Sequence, residues 1–375
     1  MCYNRHMEKY KRIYEDLYYA IKSGKFSNGD LLPKEEELCQ KYQVSRITVR
    51  HALDLLKSKG LVKRKKRLGT VVDTNDFSSK QTNGFIAVVF THFQNCANRI
   101  YHGLRELADK NKANLSFFDS EGSAEKEREI LSFLLAQNVL GLILMPIGPV
   151  TNMDIISQFR IQKIPLAFMD FSITGIRAPL VTSDNFRGAY SLTEYLIRQG
   201  HRNIAYFPYT DAFLSTEEKR FKGYIEALID NAIAPNPDYF ITVKSNPSGS
   251  TKVFSADSKD AENAIELISK MPVRPTAVVC VNDIHAYALS DAAENLGLKI
   301  PDDLSITGFD NLSASINENI TTVGQNFGEI ARNALLALFR QLENGSAADN
   351  YTVKIPAVLI ERGSVKPVVN ISYED

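Results

Sequence analysis

The sequence predicts an α/β protein with an N-terminal winged helix-turn-helix, followed by a larger part made of two doubly wound parallel-sheet lobes. Two observations lead to this prediction. Residues 30–72 hold two short helical patterns and a basic, strand-forming segment. From residue 84 onwards, apolar runs of strand length alternate with amphipathic helical patterns in two series. Continuous apolar strands between helices are typical of parallel sheets that are covered on both faces.

Residues 30–72 have the order of elements of a helix-turn-helix with a wing. Ser45 is placed as the N-cap of the second helix, and Gly60 is placed to end that helix. The basic run at residues 63–67 then leads into GTVV at residues 69–72, which predicts two strands with a basic tip. We call this N-terminal part the head.

The exposed face predicted for the second helix is polar and cationic near the helix N-terminus. Such a face suits the major groove, where arginine reads guanine edges and backbone N–H groups meet phosphate. A basic run alone is more often a solvated surface, and a Ser-Arg pair is often only a cap, so the order and spacing of these features favour DNA. The predicted DNA contacts are Lys9, Lys34, Ser45, Arg46, Thr48, Arg50, Lys65, Arg67 and Gly69.

The charge of the chain is divided unevenly, although the net charge of the 375 residues is zero. Residues 1–76 contain 17 Lys and Arg against 10 Asp and Glu, and the remaining residues contain 27 against 34. A basic head on an acidic body fits a DNA-binding domain joined to a module that does not bind DNA. We therefore predict a DNA-binding domain at residues 1–72, a polar linker at 73–83, and an effector-binding and dimerisation domain, the body, at 84–375.

Several classes of protein are disfavoured by what the sequence lacks. The four cysteines have no C-x-x-C spacing, so neither a metal site nor a disulfide framework is expected. No G-x-S-x-G, H-E-x-x-H or G-x-x-x-x-G-K-[ST] motif occurs, so we expect neither an enzyme nor a cofactor. An apolar run of about 18 residues and a signal sequence are also missing, which predicts a cytoplasmic protein without a membrane partner. A sugar-binding transport module would need an export signal and no head.

Polar residues follow the predicted strands of the body, where ligands bind in parallel α/β folds. A monosaccharide suits carboxylates, amides, an arginine fork and an aromatic plate, because it presents adjacent hydroxyls and one apolar face. Structural roles remain open for Asp310, Asn282 and Asp283 as caps, for Phe309 in the core and for His92 after its strand. A purine or amino acid remains an alternative effector. The predicted effector contacts are His92, Phe93, Asp170, Phe171, Arg220, Asn282, Asp283, Phe309 and Asp310.

The head resembles the winged helix-turn-helix of the GntR family of bacterial repressors. The resemblance covers about residues 8–72 and rests on L-P-x-E-x-x-L, V-S-R-x-T-V-R-x-A-L-x-x-L, x-G-L-V and G-T-x-V. It implies sequence-specific binding to double-stranded operator DNA. Two positions depart from the family pattern, because Arg67 replaces the usual wing-tip glycine and Glu36 stands where arginine is often found.

The body is similar to the effector domain of the LacI/GalR repressors, which is itself similar to periplasmic sugar-binding proteins. The similarity covers about residues 85–364, and its most specific parts are SDNFRGAYSLTEYLIRQGHRNIAYF at 183–207, RFKGY at 220–224 and the segment 275–311. The resemblance supports Asp170, Arg220, Asn282 and Asp310 as effector contacts and adds Gln325, in a turn between the lobes.

The same resemblance implies that each lobe is built from separate parts of the chain. One lobe is expected at about residues 84–183 and 312–345, and the other at about 184–311 and 346–364. The hybrid architecture resembles the arabinose repressors of Gram-positive bacteria. It therefore implies a homodimeric repressor of a carbohydrate-utilisation operon, with a small sugar, favoured as an arabinose-like pentose, as its effector.

Overall fold

The computed structural model describes residues 2–22, 24–58, 60–65, 68–73, 84–91, 93–137, 139–208, 215–242, 258–344 and 350–368. Within these ranges the helices are α1 (Cys2–Lys22), α2 (Glu35–Tyr42), α3 (Arg46–Ser58), α4 (Phe93–Lys110), α5 (Ala124–Leu135), α6 (Met153–Ile161), α7 (Asn185–Arg198), α8 (Ser215–Asp230), α9 (Ser258–Lys270), α10 (Asp283–Asn295), α11 (Ser313–Asn317) and α12 (Phe327–Asn344). The strands are β1 (Val62–Lys65), β2 (Gly69–Val72), β3 (Phe85–Phe90), β4 (Leu115–Asp119), β5 (Val139–Leu144), β6 (Leu166–Met169), β7 (Leu180–Ser183), β8 (Ile204–Phe207), β9 (Ala277–Cys280), β10 (Ser305–Asp310), β11 (Thr321–Gly324), β12 (Thr352–Ile355) and β13 (Val358–Ile360). None of the described helices combines the length and the apolar composition needed to cross a membrane.

The head is a winged helix-turn-helix built around one small core. Leu38, Val49 and Leu53 are at most 1% exposed, because apolar residues at helical spacing gather on one side of α2 and α3. The break between these helices falls at Gln43, whose backbone is left-handed with φ 49°. The antiparallel pair β1 and β2 forms the predicted wing.

The body contains two sheets, each covered by helices on both faces. The first sheet has the strand order β12-β7-β6-β5-β3-β4, and all its pairs are parallel. The second has the order β13-β11-β10-β9-β8 and is parallel except for β13, which runs antiparallel to β11. The predicted α/β architecture of a winged helix-turn-helix and two doubly wound lobes is thus confirmed.

The chain crosses between the two sheets after β7, after β11 and between β12 and β13. The boundary predicted near residue 183 agrees with this topology, whereas those predicted near 312 and 346 are wrong. β11 pairs with β10 in the second lobe, and β12 pairs with β7 in the first. Both strands are only four residues long and lack a continuous apolar run, so the hydrophobic pattern did not reveal them.

The crossing segments are bonded to one another. The Ser183 hydroxyl donates to Gln325 Oε1 over 2.6 Å, and the Asp184 N–H donates to the Ile355 carbonyl over 2.8 Å. The three crossings therefore form one hinge, and that hinge lies next to the carboxyl ends of the strands.

Candidate DNA-binding and effector-binding sites

Helix α3 presents arginines to solvent near its N-terminus. Ser45 caps the helix, since its hydroxyl accepts from the Thr48 N–H over 3.4 Å. The side chains of Arg46 and Arg50 are 60% and 55% exposed. The helix thus has a capped N-terminus and, beside it, the accessible guanidinium groups that a groove-reading helix needs.

Two glutamates of α2 pair with these arginines. Arg46 forms an ion pair with Glu36, and Arg50 Nε lies 2.9 Å from Glu35 Oε2. Exposed pairs of this kind contribute only about 0–1 kcal/mol, so DNA phosphates can replace the carboxylates. Glu36, which stands where the GntR family often has an arginine, therefore serves as a partner for Arg46 rather than as a phosphate contact.

The predicted DNA contacts that the structure describes are exposed, with one exception. Thr48 is only 4% exposed, and its hydroxyl oxygen lies 3.0 Å from Ser45 Oγ. The expectation that Thr48 lies on the exposed face is therefore wrong, because the helical turn carries it to the buried side beside Val49. DNA contact by the exposed residues remains a prediction. These residues are Lys9, Lys34, Ser45, Arg46, Arg50, Lys65 and Gly69, and Arg67 lies outside the described residues.

Ile47 was not predicted as a functional residue. It is 79% exposed, more than any other large apolar side chain of the described residues. It lies beside Arg46 at the start of α3, where an apolar side chain can contact the methyl group of thymine. Its sequence context carries no signal, because a single surface isoleucine is common in helices.

The effector cleft lies between the lobes, at the carboxyl ends of β6 and β10. Asp170 follows β6 in the first lobe, and Asp310 ends β10 in the second. Both have a left-handed backbone, with φ 69° and 114°. Such backbone strain in residues other than glycine is concentrated at functional sites, and here it falls on two of the predicted effector contacts.

Arg220 of α8 is the centre of the polar network in the cleft. Its Nε donates to Asn185 Oδ1 over 2.8 Å, and its Nη1 donates to the Val281 carbonyl over 2.7 Å. Its Nη2 donates to Asp310 Oδ1 over 3.3 Å, and its guanidinium carbon lies 3.9 Å from the centre of the Phe309 ring. Arginine has five N–H donors, and three are used here. The described residues therefore leave two of them for a ligand.

Asp170 faces this network from the other lobe. Its Oδ1 is buried and receives no hydrogen bond from the described residues. Burial raises the pKa of Asp170 to about 6, although the nearby Arg220 guanidinium acts in the opposite direction. An unsatisfied buried acceptor costs roughly 1–3 kcal/mol. A ligand hydroxyl that donates to Oδ1 would recover this free energy.

Gln325 connects the cleft to the hinge. Its Nε2 donates to Asp310 Oδ1 over 2.5 Å, while its Oε1 accepts from the Ser183 hydroxyl. The side chain is only 5% exposed. A ligand that contacts Asp310 therefore acts on a residue that is bonded directly to a crossing between the lobes.

Two other predicted contacts are engaged inside the second lobe. Asn282 caps α10, since its Oδ1 accepts from the His285 N–H over 2.9 Å. Asp283 is fully buried and accepts from the Leu312 N–H over 2.6 Å and from the Thr322 hydroxyl over 2.5 Å. The structural role considered for Asn282 in the sequence is thus present, and neither side chain is directed to the cleft by these contacts.

The predicted aromatic plate is not open to the cleft. Phe171 and Phe309 are 2% and 1% exposed, because Phe171 is enclosed after β6 and Phe309 supports the Arg220 guanidinium. The expectation that either ring covers a sugar face is therefore wrong for this arrangement of the lobes. His92 lies outside the described residues, as does the side chain of Phe93.

Arg99 of α4 reaches the cleft from the first lobe and was not predicted. It donates to the backbone carbonyls of Asp310 and Asn311. Leu312, the next residue, is 4% exposed and packs in the core of the first lobe. The end of β10 is therefore tied to both lobes. No motif marks Arg99 in the sequence, because it belongs to the polar face of an amphipathic helix.

Comparison with known proteins supports both parts of the chain. Residues 9–72 match the family model described as bacterial regulatory proteins of the gntR family. Residues 193–365 match the family model described as a periplasmic binding protein-like domain. The predicted resemblance of the head and of the body is thus confirmed.

Relatives of the chain carry the names of transcription regulators. The chain is 27% identical over 369 residues to the arabinose metabolism transcriptional repressor of Geobacillus stearothermophilus, which covers 96% of this chain and 99% of that one. It is 28% identical over 270 residues to the HTH-type transcriptional repressor PurR of Histophilus somni, which covers 71% and 77%. The structure of a LacI family transcriptional regulator from Enterococcus faecium with bound ribose aligns with a TM-score of 0.61 at 21% identity, covering 76% of this chain and 100% of that one. This last likeness supports the fold of the body.

Proposed function

We propose that this chain, which joins a GntR-type head to a periplasmic-binding-protein-like body, is a repressor of a carbohydrate-utilisation operon controlled by a small sugar. The observation that carries the proposal is the cleft, where Asp170 Oδ1 is buried and accepts no hydrogen bond from the described residues. It faces Arg220, whose N–H groups are only partly used by the described residues. A hydroxyl can donate to the carboxylate while a neighbouring hydroxyl oxygen accepts from the guanidinium. A monosaccharide supplies both groups without adding charge.

The charges of the cleft favour a neutral ligand over an anion. Asp170 and Asp310 provide two carboxylates, and two guanidinium groups balance them, since Arg220 is bonded to the Asp310 carboxylate and Arg99 to its backbone carbonyl. An anionic ligand would add a third negative charge to this site. Among sugars, the arabinose repressor of Geobacillus stearothermophilus supports a pentose, since its sequence matches almost the whole chain. The match to PurR supports a purine as the second candidate.

In the proposed mechanism two copies of the chain bind double-stranded operator DNA through their heads. The effector binds both lobes and thereby stabilises one arrangement of the lobes over others. The paired heads then change their spacing, which must match the distance between operator half-sites. The proposal places the homodimer in the cytoplasm with the chromosome, and it includes no catalytic step.

A thermal-shift screen tests the effector class. L-arabinose, D-ribose, D-xylose, hexoses, sugar phosphates and purine bases are compared on the full chain. A ligand at 100 times its dissociation constant adds roughly 2.7 kcal/mol to stability, so the correct class stands out clearly. We expect a neutral pentose to raise the melting temperature of the wild type, with no shift in Asp170→Asn. Stabilisation by purines alone would replace the sugar proposal with its alternative.

Replacing arginine in α3 tests the head. Arg46→Ala should weaken binding to a duplex selected from a random pool by about 1–3 kcal/mol and relax base preference. Lys65→Ala, in the wing, should weaken binding to all sequences alike. It should also reduce the slope of log affinity against log salt concentration by about 1, as expected for the loss of one phosphate contact. Fluorescence anisotropy at several salt concentrations measures both effects. Arg128→Ala, an exposed arginine of the body, serves as the control, and unchanged selectivity of Arg46→Ala would contradict the assignment of α3 as the recognition helix.

A further inference from the structure

Helix α1 of the head packs directly on the body. Arg340, in the C-terminal part of α12, lies 2.9 Å from the carboxylate of Glu15 in α1. The same guanidinium lies 5.5 Å from the centre of the Tyr351 ring. The hydroxyl of Tyr351 is 3.1 Å from that of Tyr19. One basic residue and one tyrosine of the body thus contact one face of α1.

Two more tyrosines of α1 belong to the core of the head and also lie near the end of α12. Tyr18 is 1% exposed and Tyr14 is 8% exposed. Burial raises the pKa of both, and the carboxylate of Glu343 in the last turn of α12 raises them further, with Tyr14 reaching about 12. Since a carboxylate has such an influence only at short range, the last turn of α12 lies against α1.

The end of α4 touches the head as well. The space that a side chain on Gly24 would occupy is filled by the Lys110 side chain, at the C-terminus of α4. A cavity of about 680 Å³ lies beside the contact and is lined by residues of the head and of α12, among them Lys41, Tyr42 and Arg332. The head therefore rests on the ends of two helices and has open space beside it into which it can tilt.

Helices α4 and α12 are in close backbone contact. They cross where Gly103 meets Gly328, and a Cβ atom on Gly103 would lie only 2.2 Å from the Gly328 carbonyl oxygen. The two backbones are thus in direct contact. Close-packed interfaces of this kind do not deform smoothly, so a displacement of one helix carries the other with it.

The opposite ends of the same helices lie at the effector cleft. Helix α12 begins at Phe327, two residues after Gln325, whose amide donates to Asp310. Arg99, in the first half of α4, donates to the backbone carbonyl of Asp310. Both helices are therefore anchored to one cleft residue near their N-termini and touch the head at their C-termini.

We propose that the α4–α12 pair transmits effector binding to the head of the same chain, and that the Arg340–Glu15 ion pair fixes the head on α12. The inference rests on the proposed function, because it concerns regulation by the effector of the cleft. A ligand that bonds to Asp310 displaces Gln325 and Arg99 together, and the paired helices carry the displacement to α1. Coupling of this kind requires two sites and a structural element that both sites bias.

Charge reversal tests whether the head is docked. Amide hydrogen exchange is measured on the full chain for the wild type, Arg340→Glu, Glu15→Arg and the double reversal. We expect the single variants to exchange at least tenfold faster in residues 9–21 and 337–343, and the double reversal to return towards the wild-type rates. Arg128→Glu, which breaks an exposed ion pair with Asp154 in the first lobe, is the matched control. Wild-type exchange in both single variants would overturn the docking.

The transmission itself is tested by operator affinity with and without saturating L-arabinose. Allosteric coupling commonly amounts to about 5–150-fold, and we expect a ratio in this range for the wild type. The single variants should keep both binding activities but show a ratio within about twofold of unity, and the double reversal should recover the wild-type ratio. Single variants with the wild-type ratio would overturn the relay while leaving the proposed function intact. A wild type that responds to no sugar would instead contradict the proposed function, and the relay with it.

Discussion

Arg220→Ala should lose measurable effector binding and should also unfold at a lower temperature without ligand. The side chain is 6% exposed and bonds to Asn185, Val281 and Asp310. Its removal leaves the Asp310 carboxylate buried without its guanidinium partner, and breaking a buried ion pair in this way costs roughly 3–5 kcal/mol. Two positive charges lower the pKa of Asp170, those of Arg220 and Lys219, and Arg220 has the larger effect. The variant would lose that larger effect.

Calorimetric titration with L-arabinose and thermal unfolding measure the two effects separately. Arg220→Lys keeps the charge but not the planar fork, so it should recover part of the stability and little of the affinity. Arg202→Ala, an exposed arginine of the same lobe, should behave as the wild type. At temperatures at which the body is folded, ligand-free Arg220→Ala should bind the operator with wild-type affinity. Wild-type sugar affinity in Arg220→Ala would remove this residue from the site.

Some residues of the cleft could be predicted because the direction of the strand before them determines their position. Asp170 and Asp310 each follow a buried parallel strand, and the carboxyl ends of parallel strands meet at one edge of a sheet. Local pattern and sheet direction are sufficient for these two aspartates. Arg220 lies within α8 and not after a strand, and it was indicated by RFKGY, which resembles the LacI/GalR effector domain.

Asn282 and Asp283 show where this reasoning ends. Both also follow a buried strand, yet Asn282 caps α10, and Asp283 accepts from Leu312 and Thr322. Thr322 lies in β11, a strand that the hydrophobic pattern does not reveal. The direction of a polar side chain after a strand depends on distant partners, and these partners are known only once the register of the sheets is known.

Contacts across large sequence separations were not predictable for the same reason. Arg99 donates to an acceptor more than 200 residues later in the sequence, and Arg340 donates to Glu15 more than 300 residues earlier. Neither arginine belongs to a motif, since each occupies an ordinary polar position of an amphipathic helix. Their roles follow from the packing of α4 and α12 and not from their neighbours in the chain.

Effector affinity should increase with pH between about 5 and 7 and then become constant. The pKa of Asp170 is raised from 3.8 to about 6 by burial, so the carboxyl is protonated in the ligand-free protein below pH 6. A protonated carboxyl accepts hydroxyl hydrogen bonds less well than a carboxylate, and a ligand that donates to it favours ionisation. Affinity should therefore fall by up to about tenfold for each pH unit below 6.

The stability of the ligand-free protein should change in the opposite direction. Because the folded-state pKa of Asp170 exceeds its ordinary value, the folded state binds more protons between about pH 4 and 6. The contribution of Asp170 to stability is thus greatest at low pH, decreases as the pH rises through this window, and is constant above it. Asp283, with a pKa raised to about 7 by burial, extends the decrease to higher pH.

Asp170→Asn separates these effects. The amide removes the ionisation, so the variant should be more stable than the wild type at pH 8 without ligand, and it should bind L-arabinose weakly at every pH. Asp283→Asn is the matched control, since Asp283 accepts from Leu312 and Thr322 inside the second lobe. That control should change the pH dependence of stability and leave the pH dependence of sugar affinity as in the wild type. Thermal unfolding measures the stability and calorimetric titration measures the sugar affinity, each at pH 5, 6, 7 and 8. An affinity of the wild type that does not vary with pH would show that no ligand hydroxyl donates to Asp170.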